Sequence, residues 1–146
     1  MKKIYTCGKM SGISYVEQMA WRLKIESEIK SALNCTDERV KFVHPPYYYN
    51  YEEKYHKTER EILEWEMAQV HDCDIVIVNL DGIEDTIGSH MELGAVQGIN
   101  RFGDKHIFVV GLGKDDGLHP WIKETCIRIE DDYAKAAEYI VEYLLT

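Results

Sequence analysis

A chain of 146 residues is the size of one compact domain. Its 45% apolar and 29% charged residues are the balance of a globular protein and exclude a disordered one. Seventeen Lys and Arg stand against 26 Asp and Glu, a net charge of −9, and so acidic a surface repels a nucleic-acid polymer. A single nucleotide remains admissible, because one or two phosphates need only a local cradle of backbone N–H groups. The opening Met1–Gly8 is too short for a secretory signal, and no run approaches the ~18 apolar residues of a membrane span. Cys7, Cys35, Cys73 and Cys126 are dispersed without CxxC spacing. The expectation is a cytoplasmic protein with reduced thiols and no membrane attachment.

Taken in chain order, Ile4–Cys7 predicts a first strand, ended by Gly8. Val16, Met19, Ala20, Leu23, Ile29 and Leu33 recur at helical spacings and predict an amphipathic helix over Ser14–Leu33. Val40–Val43 predicts a second strand, stopped by Pro45-Pro46. Thr58–His71 is helical in pattern, and Ile75–Leu80 is a strand apolar on both faces. Ser89–Asn100 predicts a helix, His106–Val110 a strand, Cys126–Ile129 a weaker strand and Asp132–Leu145 a closing helix. The segment Tyr47–Tyr55 holds half of the ten tyrosines and suits either a lid that stacks on a base or an interface. His119-Pro120-Trp121 suits a turn with a buried tryptophan, or a segment that reaches a neighbouring subunit's site.

Strands alternating with helices imply one α/β domain over residues 1–146, a parallel sheet with right-handed crossovers. In a doubly wound sheet of order 2-1-3-4-5, ligands sit where the strand order reverses, between strands one and three. The loops leaving those strands are Gly8–Gly12 and Asp81–Ser89, both rich in Gly and hydroxyl residues.

Two glutamates fall on apolar faces. On the helix Thr58–His71, Glu66 lies about 40° from Ile62 and from Val70, inside the apolar stripe. A carboxylate there is costly unless it is paired or hydrogen-bonded. It is therefore either a site residue or an acid that snorkels or pairs with a lysine. On Ser89–Asn100, Glu92 lies about 20° from Ile99 and about 40° from Val96. In a first turn it would be held ionised, as a usable nucleophile. The run Ser89-His90-Met91-Glu92 also matches the capping box S-x-x-E, in which the glutamate merely caps the helix. Two acids converging on one crevice suit glycosidic bond cleavage, which requires no metal.

Competing motifs are incomplete. His90-Met91-Glu92 lacks the P-C-x-x-C partner of the zinc deaminases, Gly111-Leu112-Gly113 lacks the third glycine of a dinucleotide fingerprint, and six histidines show no metal-ligand spacing.

Three blocks together carry a resemblance: residues 4–12 (IYTCGKMSG), 72–82 (DCDIVIVNLDG) and 88–94 (GSHMELG). In order and spacing the chain resembles the nucleoside 2-deoxyribosyltransferase family, including its 2'-deoxynucleoside 5'-monophosphate N-hydrolase branch. The resemblance implies a flavodoxin-like sheet with helices on both faces, no cofactor, and homo-oligomers whose sites are completed by neighbouring subunits. It implies that Glu92 attacks C1' of a deoxyribose, that Tyr5 stands near this nucleophile, and that Glu66 occupies the position of a family aspartate that handles sugar and base. Thr86 stands where many transferases carry Asp and many nucleotide hydrolases carry Ser, and Ser11 stands in place of the hydrolases' first-loop arginine, leaving Lys9 as the nearby cation. The tail 142–146 lacks the polar extension of some transferases. The expected substrate contacts are Gly8, Lys9, Ser11, Gly12, Asp81, Thr86, Gly88, Ser89 and His119. The expected activity is transfer of 2-deoxyribose from a deoxynucleoside to a free nucleobase. The alternatives are hydrolysis of a 5'-monophosphate and a non-catalytic nucleotide-binding module.

Overall fold

The computed structural model describes residues 1–34, 39–49 and 56–146. Five strands, β1 (Lys2–Cys7), β2 (Val40–Val43), β3 (Ile75–Asn79), β4 (Phe108–Leu112) and β5 (Arg128–Glu130), form one sheet in the order β2-β1-β3-β4-β5. Every neighbouring pair is parallel. This is the doubly wound, flavodoxin-like α/β arrangement expected from the alternation of elements. The helices are α1 (Tyr15–Ala32), α2 (Glu59–Asp72), α3 (Ile87–Phe102), α4 (Pro120–Thr125) and α5 (Tyr133–Tyr139), the last continued by a π-helical turn over Ile140–Leu144. Among the described residues, no helix is long and apolar enough to cross a membrane.

Alternation along the strands builds two cores. Ile4, Ile75, Ile77, Val110 and Leu112 pack with Trp21, Ile25 and Ile29 of α1 and with Ala136 and Ala137 of α5. Tyr5, Cys7, Val76, Val78 and Val109 pack with Val70 of α2 and with Leu93 and Val96 of α3. Each fully buried aliphatic side chain contributes roughly 1.5–3 kcal/mol. Tyr5 thus faces the layer that carries Glu66 and Glu92, whereas Thr6, between Tyr5 and Cys7, belongs to the α1 side.

Several boundaries and faces differ from the sequence reading. Ser14 caps α1 from outside, its Oγ accepting from the Glu17 N–H at 3.2 Å. The face that α1 buries is Gln18, Met19, Trp21, Arg22, Ile25 and Ile29, while Val16 and Leu23 are exposed. Counting only aliphatics misplaced this face, because two of its members are polar side chains with partners inside. Pairing and not apolarity sets the ends of β4, since Ile75 of β3 lies opposite Phe108 and Asn79 opposite Leu112. Short 3-10 turns at Pro45–Tyr48 and Ile83–Asp85 were not anticipated. Of the tyrosine-rich segment, Tyr47–Tyr49 are described, and its remainder, 50–55, lies outside the described residues. His119-Pro120-Trp121 starts a helix: His119 Nδ1 accepts from the Trp121 N–H at 3.1 Å, and Trp121 is 80% exposed where a buried ring was expected.

The capping reading of Glu92 is overturned. Helix α3 begins at Ile87 with Thr86 as its N-cap, so Ser89 already lies inside the helix and is buried. The capping box belongs to α2, where Thr58 Oγ1 accepts from the Glu61 N–H at 3.2 Å and Glu61 Oε2 accepts from the Thr58 N–H at 3.0 Å. Thr58→Ala is expected to lower the free energy of unfolding by about 1 kcal/mol, read as an earlier urea midpoint at unchanged slope.

Candidate active site

At the carboxyl ends of β1 and β3 the chain encloses a cavity of about 860 Å³, within the usual size of a small-molecule site. Its walls come from four stretches: the loop 8–13 after β1, Tyr48 and Tyr49 after β2, the start of α2, and residues 85–92 where α3 begins. The strand order reverses between β1 and β3, so the chain leaves the two strands in opposite directions and opens this crevice.

Both acids reach it. Glu66 projects from α2 and Glu92 from α3. Helix α3 starts two residues earlier than its sequence pattern suggested, which places Glu92 one and a half turns from the helix N-terminus and only 7% exposed. Glu66 Oε1 accepts a hydrogen bond from the Tyr49 hydroxyl at 2.8 Å. No lysine pairs with Glu66 among the described residues, so its position is that of a clamped acid rather than a snorkelling one.

Burial dominates the electrostatics. It pushes the Glu92 carboxyl upward, the adjacent negative charge of Glu66 adds to the shift, and Cys7, Tyr5 and Arg22 oppose it. Burial also raises Glu66, against the hydrogen bond from Tyr49, a hydrogen bond with Glu92, and the charge of Arg22. Each acid thus shifts the titration of the other. Behind Glu92, burial and then the Glu92 charge hold the Tyr5 hydroxyl well above the phenol range and the Cys7 thiol well above its own. Tyr5 Oη and Glu92 Oε2 are buried without hydrogen-bond partners among the described residues. Orphan polar atoms are rare in protein interiors, and these two stand with His44 Nε2 and His90 Nε2 among the described residues.

The structure brings most of the expected contacts together. Gly8, Lys9, Ser11 and Gly12 from the first loop and Thr86, Gly88 and Ser89 from the second line the cavity with both glutamates. Tyr5 lies beneath it, beside Glu92. Two expected contacts are not in its lining. Asp81 binds back through its own N–H to Asn79 Oδ1 at 3.1 Å and acts electrostatically on Tyr133. His119 caps α4. The backbone after β3 turns at Gly82, with φ of 72°, and this turn carries Asp81 off the crevice while returning Thr86 to it. Gly8 is required by close approach: a Cβ there would lie 2.7 Å from the Trp21 ring.

Sequence reasoning missed Gln18, Cys7 and Arg22, and singled out Tyr49 only as part of the Tyr47–Tyr55 segment. Gln18 donates to the Met10 carbonyl at 2.8 Å and braces the first loop. The one available signal was their spacing: Gln18, Arg22, Ile25 and Ile29 follow one another at helical intervals. Among the described residues, no group of three or more His, Cys, Asp or Glu could hold a metal ion.

Comparison with known proteins adds the fold alone. No family model and no curated protein matches the chain. Among solved structures, it is similar to a conserved protein from Enterococcus faecalis V583, with a TM-score of 0.74, 15% identity and 99% of each chain covered.

The electrostatics have a measurable consequence. Ionising Glu92 costs the folded chain more than the unfolded one, so stability is lost as pH rises from the ordinary carboxylate range toward the raised folded-state value. Glu92→Gln, neutral at every pH, is expected to melt with the wild type near about pH 4 and a few degrees above it near about pH 9. Thermal melts of both proteins across that range check the sign.

Proposed function

We propose that this protein cleaves the N-glycosidic bond of 2'-deoxynucleosides and passes the deoxyribosyl group to a second nucleobase. One observation carries the reading: a buried acid on α3, Glu92, and a half-buried acid on α2, Glu66, line one cavity, the first backed by Tyr5 and Cys7 and the second clamped by Tyr49. In the first step a carboxylate oxygen of Glu92 bonds to C1' as the C1'–N bond breaks. The base departs with the bonding electrons and takes up a proton. In the second, a nitrogen of the incoming base bonds to C1', expels the Glu92 carboxylate and loses its proton.

Each neighbour has a task that its position suits. Tyr5 and Cys7, both protonated, stand behind the Glu92 carboxyl, where their O–H and S–H can turn toward it as it ionises. Glu66, kept still by Tyr49, accepts hydrogen bonds from the sugar or the base. Tyr48, Tyr49 and His56 form an aromatic wall on which a base can stack. The nucleophile must be ionised to attack, so turnover is expected to rise with pH through a value above the ordinary carboxylate range.

A second reading, hydrolysis of 2'-deoxynucleoside 5'-monophosphates with water as acceptor, is favoured by the anion-friendly end of the cavity. The first N–H groups of α3 have no side-chain cap, because Thr86 Oγ1 donates instead to the Gly82 carbonyl at 3.0 Å. Gly88, Ser89 and Lys9 line the wall at that end.

One chromatographic assay with three arms separates the readings: a deoxynucleoside plus a different free base, the deoxynucleoside alone, and a deoxynucleoside monophosphate alone. Base exchange in the first arm is the expected result, with Glu92→Gln slower by roughly 10³-fold or more. Free base from the third arm alone assigns the hydrolase. No base release in any arm, with ligand affinity intact in Glu92→Gln, leaves a nucleotide-binding module and overturns both enzymatic readings.

A further inference from the structure

We propose that Arg22 is a positioning residue of this site: a fully buried guanidinium that ties down the loop behind the cavity floor and supplies the positive charge against which the Glu66–Glu92 pair carries its negative one. The inference rests on the reading of Glu92 as the reacting acid, and concerns how that acid is kept available.

Arginine is almost never fully buried unless it is paired. Arg22 is 0% exposed, in a chain whose net charge is −9. Among the described residues its nitrogens donate to neutral oxygens: Nε to Thr6 Oγ1 at 3.2 Å, Nη2 to the Gly8 carbonyl at 3.2 Å, and Nη1 to the Gln18 carbonyl. The guanidinium also lies 4.6 Å from the centre of the Trp21 ring. No carboxylate forms an ion pair with it among the described residues. Neutral acceptors do not repay the removal of a full charge from water. Its uncancelled field falls on the groups that face it, Cys7 and Tyr5 from β1, Glu92 from α3 and Glu66 from α2. Burial lowers Arg22 to about 10, which leaves it charged at neutral pH.

The groups on its far side do not compete. Thr6 Oγ1 accepts from Arg22, so its single proton goes elsewhere, and His44 Nδ1 at 2.8 Å is closer than the Val43 carbonyl at 3.3 Å. On the other side of that ring, His44 Nε2 lies 3.6 Å from Glu26 Oε1. Burial favours the neutral imidazole, and Arg22 reinforces it against the pull of Glu26. Lys30 pairs with Glu26 at 3.5 Å near the rim. Arg22 thus remains the cation seated behind the two acids. It does not line the cavity, but the Gly8 and Gln18 it holds both do. Its action on substrate is therefore indirect, through the loop and through the charge of the pair.

The test is an infrared titration of the carboxyl C=O band of the ligand-free protein, with Glu66→Gln and Glu92→Gln assigning the bands. In Arg22→Met the midpoint of the buried pair is expected to move up by about one unit or more, and in Arg22→Lys, which keeps the charge, to return most of the way. Arg22→Gln keeps an amide donor for the Gly8 carbonyl while removing the charge, and gives the same rise if the methionine variant fails to fold. An unchanged midpoint in either folded neutral variant overturns the proposal. The base-release assay then separates this inference from the reading it rests on. If the wild type turns over, kcat/KM of the neutral variants falls about tenfold at pH values below the midpoint and recovers at high pH, with KM nearly unmoved. If the wild type releases no base but the midpoint still shifts, the charge role of Arg22 stands and the glycosidic reading falls.

Discussion

A buried carboxyl set beside a half-buried one resists ionisation, and the carboxyl end of this sheet is organised around that constraint. Glu66 and Glu92 face one cavity from α2 and α3, shielded from water on the sheet side by Tyr5 and Cys7. Removal from solvent favours the protonated form of each, and the charge of Glu66 adds to this at Glu92. Tyr49 opposes it first at Glu66, Cys7 and Tyr5 oppose it first at Glu92, and the charge of Arg22 adds to both.

The rest of the structure holds these groups still. The parallel sheet buries its strands on both faces and so provides a rigid floor. Close packing of Gly8 against the Trp21 ring leaves no room for a side chain where the first loop departs. Gln18 and Arg22, one turn apart on α1, bond to the Met10 and Gly8 carbonyls and fix that loop from behind. Tyr49 locks Glu66 from the other side. Tyr5 Oη and Glu92 Oε2 stay buried without hydrogen-bond partners among the described residues, which costs stability.

Much of this was legible in the order of residues. Strand-helix alternation, with strands too apolar to be half exposed, leads to a parallel doubly wound sheet, and the topology of such sheets points to the loops after β1 and β3. Helical geometry alone puts Glu66 and Glu92 among apolar neighbours. The same local rules failed where two explanations were locally equivalent. Ser89–Glu92 satisfies the spacing of a capping box, and Thr58–Glu61 does so equally; only the position at which the backbone enters the helix distinguishes them. Asp81 and His119 stood in promising segments, yet one turn at Gly82 and one short helix at Pro120 direct them elsewhere.

By itself the sequence determined the alternation of strands and helices and placed the two acids on apolar faces, because these depend on periodicities of two and 3.6 residues that local segments display. The strand order came from the common pattern of such sheets and from the family resemblance. Tertiary structure alone decided the charge environment of the acids. Arg22 is 44 residues from Glu66 in the chain and Cys7 is 85 from Glu92, and no local pattern encodes an electric field summed over such separations. A polar residue on a helix reads as solvent-facing until the fold shows the acceptors waiting for it inside, and Arg22 is the residue for which that difference matters most.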